Sequence, residues 1–311
     1  MIQEKIIVGE NTKYPLDGIL TLPADTSKPV PAVVFVHGSG ASNMDEKVGK
    51  ITPFKDLAEG LARHGIASIR YDKRSFKHGF KLLKEKNITV KVETIEDAIL
   101  ATEMLKVDSR IDKDNVFIIG HSMGAMLAPR IDAEGGNYKG LIMMAGSPRR
   151  LEEIMMNQNE EVLQSVKGLM KWIVKKQIAS ITAMFDGLYL LSDEEAKKKK
   201  VGNGVTLYYF KEMGDHPASD YLISLEKPML IMQGEKDFQA TVEKDFNAYK
   251  ELLADKANVT FRLYENLSHA FVPSVYGDIM KAKQEYNVEQ HIGEEVISDI
   301  ANWILKGVIE R

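Results

Sequence analysis

The sequence predicts an α/β protein with a mostly parallel, doubly wound sheet. Short, continuous runs of apolar and β-branched residues alternate with segments of helical spacing along most of the 311 residues. Such runs are typical of parallel strands that are covered on both faces. The chain begins differently, because its first two strand patterns are close in sequence and the second alternates apolar with small or polar residues. We therefore expect an antiparallel start to an otherwise parallel sheet.

The predicted elements can be followed in chain order. The antiparallel pair covers 6–8 and 16–22, and 32–36 is the first run with the β-branched character of a central strand. Later strands are predicted at 66–71, 116–119, 140–145, 228–234 and 259–264. Helical spacing occurs over 54–61, 94–105 and 296–305, and a further helix is expected directly after residue 122. Gly65 ends the first of these helices, and Thr94 is a candidate N-cap for the second.

The alternation of strands and helices breaks between Arg149 and Asp220. Apolar residues recur there at helical spacing, over 163–174 and again over 178–191, and no strand pattern separates them. We interpret 149–220 as a helical cap that folds over the strand ends, with 1–148 and 221–311 forming the core domain. The alternative is that these helices merely enlarge the outer layer of the sheet.

Composition excludes several classes of function. A net charge of −4 gives no electrostatic reason to expect binding to nucleic acid or to an anionic membrane. The chain has no cysteine, which excludes disulfides, thiolate nucleophiles and cysteine-bound metals. The first residues do not resemble a secretory leader, and no apolar run approaches the length of a membrane span. The expectation is a cytoplasmic protein without metal or cofactor, and a homo-oligomer is left open.

The stretch 120–124, Gly-His-Ser-Met-Gly, has the G-x-S-x-G pattern of a nucleophile elbow. An apolar β-branched run precedes it and small apolar residues follow it, which is the strand, sharp turn and helix that the motif requires. Ser122 is therefore the candidate nucleophile. A serine hydroxyl needs a nearby base, and the base needs an acid that fixes its tautomer and stabilises its charge.

The base and acid are expected after the elbow in this arrangement. Of the seven histidines, His269 is the candidate base because it follows the last predicted strand by a short loop. Asp237 is the candidate acid because it lies in a glycine-bearing turn directly after a strand, where α/β active sites form. Glu235 and Asp245 are the alternatives for the acid.

Acyl transfer also requires hydrogen-bond donors for the developing oxyanion. The backbone N–H of Met123 is one candidate, at the start of the helix that follows the elbow. The backbone N–H of Ser39 is the other, in the glycine-rich loop 37–40. That loop also fits a flexible strand-to-helix turn, and it lacks the lysine of a phosphate-binding P-loop.

Five motifs stand at the predicted strand ends. They are His37-Gly38-Ser39-Gly40, Tyr71-Asp72-Lys73-Arg74, Gly120-His121-Ser122-Met123-Gly124, Gly234-Glu235-Lys236-Asp237-Phe238-Gln239 and Ser268-His269-Ala270-Phe271. With them the chain resembles the α/β-hydrolase superfamily over nearly its whole length, and within it bacterial carboxylesterases related to feruloyl (cinnamoyl) and acetyl esterases. The resemblance implies an α/β-hydrolase fold, a Ser122–His269–Asp237 triad and a cap inserted near Gly146. The Met- and Lys-rich insertion to Asp220 departs from that family pattern, and a cap largely shapes the substrate pocket.

We therefore expect a serine carboxylesterase acting on small-molecule esters of short-chain or aromatic acids. Aromatic and apolar residues of the insertion are candidates for the pocket lining, although their helical spacing equally fits core packing. They are Trp172, Met184, Phe185, Tyr208 and Tyr209. The cluster of Lys73, Arg74 and Lys77 fits either the attraction of an anionic substrate or an ordinary surface loop. The alternative functions are the same triad acting on amides, peptides or lactones, and a non-catalytic hydrolase-like binding protein.

Overall fold

A computed structural model describes residues 1–85, 87–201 and 205–309. Its main feature is an eight-stranded sheet with the order β1-β2-β4-β3-β5-β6-β9-β10. Pairs β1–β2 and β2–β4 are antiparallel, and every other pair in this sheet is parallel. The strands of the chain are β1 (Ile2–Val8), β2 (Leu16–Leu22), β3 (Val30–Val36), β4 (Ala67–Tyr71), β5 (Ile111–His121), β6 (Leu141–Met144), β7 (Lys200–Val201), β8 (Val205–Thr206), β9 (Met229–Gly234) and β10 (Val259–Tyr264).

Helices connect these strands and cover both faces of the sheet. They are α1 (Pro53–Arg63), α2 (Arg74–Leu82), α3 (Glu96–Val107), α4 (Met123–Ile131), α5 (Leu151–Ser165), α6 (Gly168–Phe185), α7 (Asp193–Lys198), α8 (Leu207–Gly214), α9 (Ala218–Ser224), α10 (Asn247–Leu252), α11 (Ala282–Tyr286) and α12 (Glu294–Ile309). The fold class is thus as the sequence predicts, a mostly parallel sheet with an antiparallel start.

The alternation of side chains along β3 divides the core into two layers. Val34 and Val36 point into a cluster shared with α3 and α4, whereas Val33 and Phe35 point into a second cluster shared with α1 and α12. All four side chains are completely buried. Burial on both faces explains why the strand is a continuous apolar run rather than an alternating one.

The described part of the segment 149–220 is mainly helical and also contains a pair of short strands. Helices α5 to α9 begin in this segment, and the two-residue strands β7 and β8 pair antiparallel outside the main sheet. No pattern in the sequence predicts this strand pair. Buried residues of the segment, among them Ile154, Phe185 and Phe210, belong to the same hydrophobic cluster as α3 and α4. The segment therefore packs directly against the core on the side of the elbow helix.

Helix α6 is the least buried of these helices. Its first half carries exposed apolar side chains, including Leu169 and Trp172. Only Phe185, at its last position, is fully buried among the helix residues. In the described ranges, no helix is both long and apolar enough to span a bilayer.

Candidate active site

Ser122 occupies a strained turn between β5 and α4. Its φ of 55° and ψ of −120° lie in a region that L-residues rarely adopt. The turn is possible because both flanking glycines lack a side chain: a Cβ on Gly120 would lie 2.3 Å from Gly124 O, and one on Gly124 would lie 2.1 Å from Val36 O. The two glycines of the motif are therefore a packing requirement of the elbow. The partly buried residue Ser122 lines a cavity beside the sheet.

His269 and Asp237 lie at the carboxyl ends of neighbouring strands, after β10 and β9. Nδ1 of His269 and Oδ2 of Asp237 are 2.7 Å apart, and both residues are buried. Asp237 is itself held in place, since Gln233 Nε2 donates to Oδ2 and the backbone N–H of Gln239 donates to Oδ1. The carboxylate thus keeps the proton of the ring on Nδ1 and leaves Nε2 available as a base.

Ser122 and His269 line the same cavity, 147 positions apart in the chain. No hydrogen bond between the Ser122 hydroxyl and the His269 ring occurs within the described part of the chain. Catalytic hydrogen bonds are often long or poorly aligned in unliganded enzymes and tighten when the substrate is bound. Ser122 and the hydrogen-bonded His269–Asp237 pair thus lie on one cavity.

The two candidate oxyanion donors also line this cavity. Ser39 follows β3, and Met123 is the first residue of α4. Neither backbone N–H donates to another group within the described ranges. Two free N–H groups beside a candidate nucleophile form the arrangement that stabilises a tetrahedral oxyanion.

A second histidine–carboxylate pair contacts the loops that carry the candidate residues. Oε2 of Glu46 lies 3.0 Å from Nδ1 of His121, and the other His121 nitrogen, Nε2, donates to the backbone O of His269 at 2.8 Å. Oε1 of Glu46 accepts the backbone N–H of Gly38 at 2.8 Å. Glu46 thus connects the loop of the candidate oxyanion hole with the loop of the candidate base.

The motif Tyr71-Asp72-Lys73-Arg74 forms a further support. Lys73 and Arg74 are 2% and 4% exposed, so their interpretation as surface-loop cations is wrong. Arg74 makes two hydrogen bonds to Asp97, at 2.5 and 3.0 Å. Lys73 Nζ donates to Gly38 O at 2.8 Å and lies 3.6 Å from Oε1 of Glu93. Burial lowers the pKa of Lys73, and the charge of Glu93 partly opposes that effect.

The cavity has a volume of about 790 Å³, within the range of small-molecule sites. The segment 149–220 supplies much of the cavity wall. Those lining residues are Leu151, Ile154, Met155, Gln158, Val201, Val205, Tyr209 and Phe210. A polar pair interrupts this apolar lining, because the Tyr209 hydroxyl donates to Oε2 of Glu93 at 2.7 Å.

The predicted pocket residues lie in different places. Tyr209 lines the cavity. Phe185 is buried in the core and packs edge-on against Phe210, with ring centroids 4.9 Å apart. Trp172 is 56% exposed, and the ring of Tyr208 lies under Lys197 Nζ at 4.7 Å. Met184 is half-buried. The described residues that line the cavity do not include Met184, Trp172 or Tyr208.

Sequence reasoning did not identify Glu46, Glu93 or the role of Lys73. Glu46 was detectable only as an acid a few residues after the His37–Gly40 loop, and Glu93 has no motif around it. Among the described residues, no group of three or more His, Cys, Asp or Glu side chains is arranged to hold a metal ion.

Comparison with known proteins agrees with this geometry. The profile of the family described as serine aminopeptidase, S33, matches residues 27–273. The chain belongs to this family. Its fold is the α/β-hydrolase fold, as the resemblance implied.

A curated relative of this chain is the esterase EstD of Thermotoga maritima, which is 34% identical to it over 292 residues. The alignment covers 94% of the chain and 66% of EstD, so the chain spans slightly less than two thirds of that relative. Among solved structures, Est1E of Butyrivibrio proteoclasticus with ferulic acid bound has a TM-score of 0.61 at 14% identity, covering 98% of this chain and all of that one. The Pyrococcus furiosus esterase Pf2001 has a TM-score of 0.59 at 15% identity, covering 98% and 91%.

Proposed function

We propose that the protein is a serine carboxylesterase that uses Ser122 as nucleophile, His269 as base and Asp237 as the acid that orients the base. The observation that carries the proposal is the buried His269–Asp237 pair, 2.7 Å apart, on the cavity that Ser122 also lines. The relationship to EstD supports ester hydrolysis as the reaction. The two free N–H groups of Ser39 and Met123 supply the donors that such a reaction requires.

The reaction proceeds in two halves. When substrate is bound, Nε2 of His269 takes the proton of the Ser122 hydroxyl as Oγ attacks the ester carbonyl carbon. The N–H groups of Ser39 and Met123 stabilise the oxyanion, and His269 returns the proton to the leaving alcohol as the C–O bond breaks. His269 then removes a proton from water as the water oxygen attacks the acyl carbon, and it returns that proton to Ser122 Oγ as the acyl C–O bond breaks and the acid is released.

The lining of the cavity supports a short-chain or aromatic acid as the acyl group. Its apolar wall favours carbon-rich groups, and its volume of about 790 Å³ is large enough for an aromatic ring. We further propose that residues 149–220 act as a cap, since they supply one wall of this cavity and pack on the elbow side of the core.

The direct test is labelling with a fluorophosphonate followed by peptide mapping. We expect a single modified peptide that contains Ser122, and no labelling of Ser122→Ala. In parallel, Ser122→Ala should hydrolyse p-nitrophenyl acetate and butyrate at least about 10³-fold more slowly than the parent. Turnover by Ser122→Ala above a few percent of the parent rate would reject Ser122 as the nucleophile.

The same triad acting on amides is the second candidate, because the matching family is described as serine aminopeptidases. A panel of p-nitrophenyl esters from acetate to decanoate, together with methyl ferulate and aminoacyl p-nitroanilides, separates the two. The esterase proposal expects kcat/KM to be highest for a short-chain or aromatic ester. Faster turnover of the anilides would favour the peptidase, and inertness towards the whole panel and the fluorophosphonate would favour a non-catalytic binding protein.

A further inference from the structure

The backbone of Gly38 is held on both sides by buried charged side chains. Lys73 Nζ donates to its carbonyl O at 2.8 Å, and Oε1 of Glu46 accepts its N–H at 2.8 Å. Both side chains come from outside the 37–40 motif and are at least nine-tenths buried. A buried ammonium group makes a stronger hydrogen bond than a neutral donor, and placing it there requires compensation for its desolvation.

The carbonyl that Lys73 contacts belongs to the same peptide unit as the N–H of Ser39. A trans peptide is planar, with its C=O and N–H pointing in opposite directions. A cation that fixes the Gly38 carbonyl therefore also fixes the direction of the N–H of Ser39, a residue that lines the cavity. Because hydrogen bonds through one peptide group polarise each other, the ammonium group also makes that N–H a better donor.

The segment around Lys73 holds the rest of this loop as well. The backbone N–H of Lys73 donates to Ser42 O at 3.0 Å, and Oδ1 of Asp72 accepts the N–H of Met44 at 2.8 Å. On the other side of Lys73, Glu93 Oε1 supplies the counter-charge at 3.6 Å. The loop and the Lys73 segment are thus joined at three points, one of which is the peptide that carries a candidate oxyanion donor.

We propose that Lys73 is a positioning residue for the oxyanion hole, whose ammonium group orients and polarises the Gly38–Ser39 peptide. This inference rests on the proposed esterase function. It assigns a role in transition-state stabilisation to a lysine that does not touch the substrate. The interaction strengthens as negative charge develops on the substrate oxygen, so its loss reduces kcat and leaves KM nearly unchanged.

The test compares Lys73→Met/Glu93→Gln with Glu93→Gln alone, so that no carboxylate is left buried without its partner. With p-nitrophenyl butyrate we expect kcat of the double variant to be about 10- to 100-fold below that of Glu93→Gln, with KM within about threefold. The Ki of a trifluoromethyl ketone, which Ser122 converts into a tetrahedral adduct with an oxyanion, should rise by the same factor. Lys77→Met is the charge control, because Lys77 lies close by in α2 and is exposed.

Several results would overturn the inference. Equal kcat values for the double variant and Glu93→Gln would do so, and so would a loss confined to KM or a Ki that does not follow kcat. If the double variant does not fold, judged by its thermal unfolding, Lys73→Gln/Glu93→Gln keeps a polar pair without charge. It should still lose about tenfold in kcat against Glu93→Gln, and parity would reject the role of the charge.

Failure of this inference is separable from failure of the esterase proposal. Each preparation is titrated with the fluorophosphonate, and Ser122→Ala is assayed beside it. Only the role of Lys73 would be rejected if the parent hydrolyses the ester, Ser122→Ala is inactive and the double variant is unimpaired. An active Ser122→Ala would reject the triad, and with it the inference that depends on it.

Discussion

Glu46 Oε2 lies 3.0 Å from Nδ1 of His121, the residue immediately before the candidate nucleophile, and both side chains are buried. The contact does not have the geometry of a hydrogen bond, so its attraction is chiefly between charges. Burial is the largest influence on the pKa of His121 and lowers it, but Glu46, the backbone O of His269 and the charge of Asp237 together outweigh burial, so the net pKa is raised. Burial is likewise the largest influence on the pKa of Glu46 and raises it, but His121, the charge of His37 and the backbone N–H of Gly38 together outweigh burial, so the net pKa is lowered.

The first prediction concerns the pH dependence of this pair. A raised histidine pKa stabilises the fold fully below the unfolded value of 6.5 and loses that contribution as pH rises through the folded pKa. A lowered glutamate pKa stabilises the fold fully above the unfolded value of 4.5. That contribution to stability is lost as pH falls through the folded pKa. The pair therefore stabilises most between these two values.

Glu46→Gln tests this prediction, since the amide retains an acceptor for the Gly38 N–H and removes only the charge. We expect its loss in free energy of unfolding, measured with urea, to be greatest near pH 5.5 and clearly smaller near pH 9. A difference from the parent that is the same at both pH values would show that the pair does not carry opposite charges.

The second prediction is that Asp237→Asn reduces kcat by about 10² to 10⁴-fold while KM changes little. The asparagine side chain cannot hold the proton on Nδ1 of His269, so the ring presents the wrong nitrogen to Ser122. Steady-state hydrolysis of p-nitrophenyl butyrate measures both constants. Glu235→Gln is the matched control, because Glu235 is exposed and lies two positions before Asp237. A large loss in Glu235→Gln with little loss in Asp237→Asn would transfer the role of the acid.

Strand order explains why the candidate triad could be predicted from the sequence. Ser122 and Asp237 follow the buried apolar strands β5 and β9, His269 follows the edge strand β10, and the carboxyl ends of parallel strands meet at one edge of a sheet. Their local patterns therefore determine their approximate positions in space. The fold class followed from the apolar runs of the central strands, because burial on both faces leaves a clear signal there.

The supporting residues left no such signal. Lys73 and Arg74 are charged and follow a strand, which is typical of an exposed loop, and they are buried because their partners Glu93 and Asp97 come from a distant segment. Trp172 and Tyr209 both occur at helical spacing. Which of them faces the cavity depends on how α6 and α8 pack, and periodicity alone does not fix the direction of a helix face.

The third prediction concerns Tyr209, whose hydroxyl links the segment 149–220 to Glu93 by a hydrogen bond. Removing the hydroxyl leaves a carboxylate oxygen in the cavity wall without its donor, which typically costs about 1–3 kcal/mol. We therefore expect Tyr209→Phe to lower the free energy of unfolding by about that amount. Tyr208→Phe is the control, because the adjacent Tyr208 is half-buried and its ring contacts Lys197 at the surface. Equal stabilities of the two variants would mean that the Tyr209–Glu93 hydrogen bond contributes nothing to docking of this segment.

The fourth prediction concerns His37, which precedes the loop of the candidate oxyanion hole. It is 1% exposed and packs against Phe54 and Tyr71, with its Nε2 bonded to Asn43 O at 3.0 Å. Burial lowers its pKa from 6.5 to about 4. The folded protein therefore keeps this ring neutral while the unfolded chain takes up a proton, so that stability falls as pH decreases from about 6.5 towards about 4.

Two measurements check the behaviour of His37. In the parent, NMR titration of the imidazole should give a midpoint near 4, well below that of an exposed histidine. In urea unfolding, His37→Gln should lack the part of the acid destabilisation that this ring causes, on the order of 3 kcal/mol between neutral pH and pH 4 for the full shift. A His37 midpoint near 6.5, or parallel stability curves for parent and variant, would contradict the assignment. In that case the imidazole of His37 would take up a proton inside the folded protein.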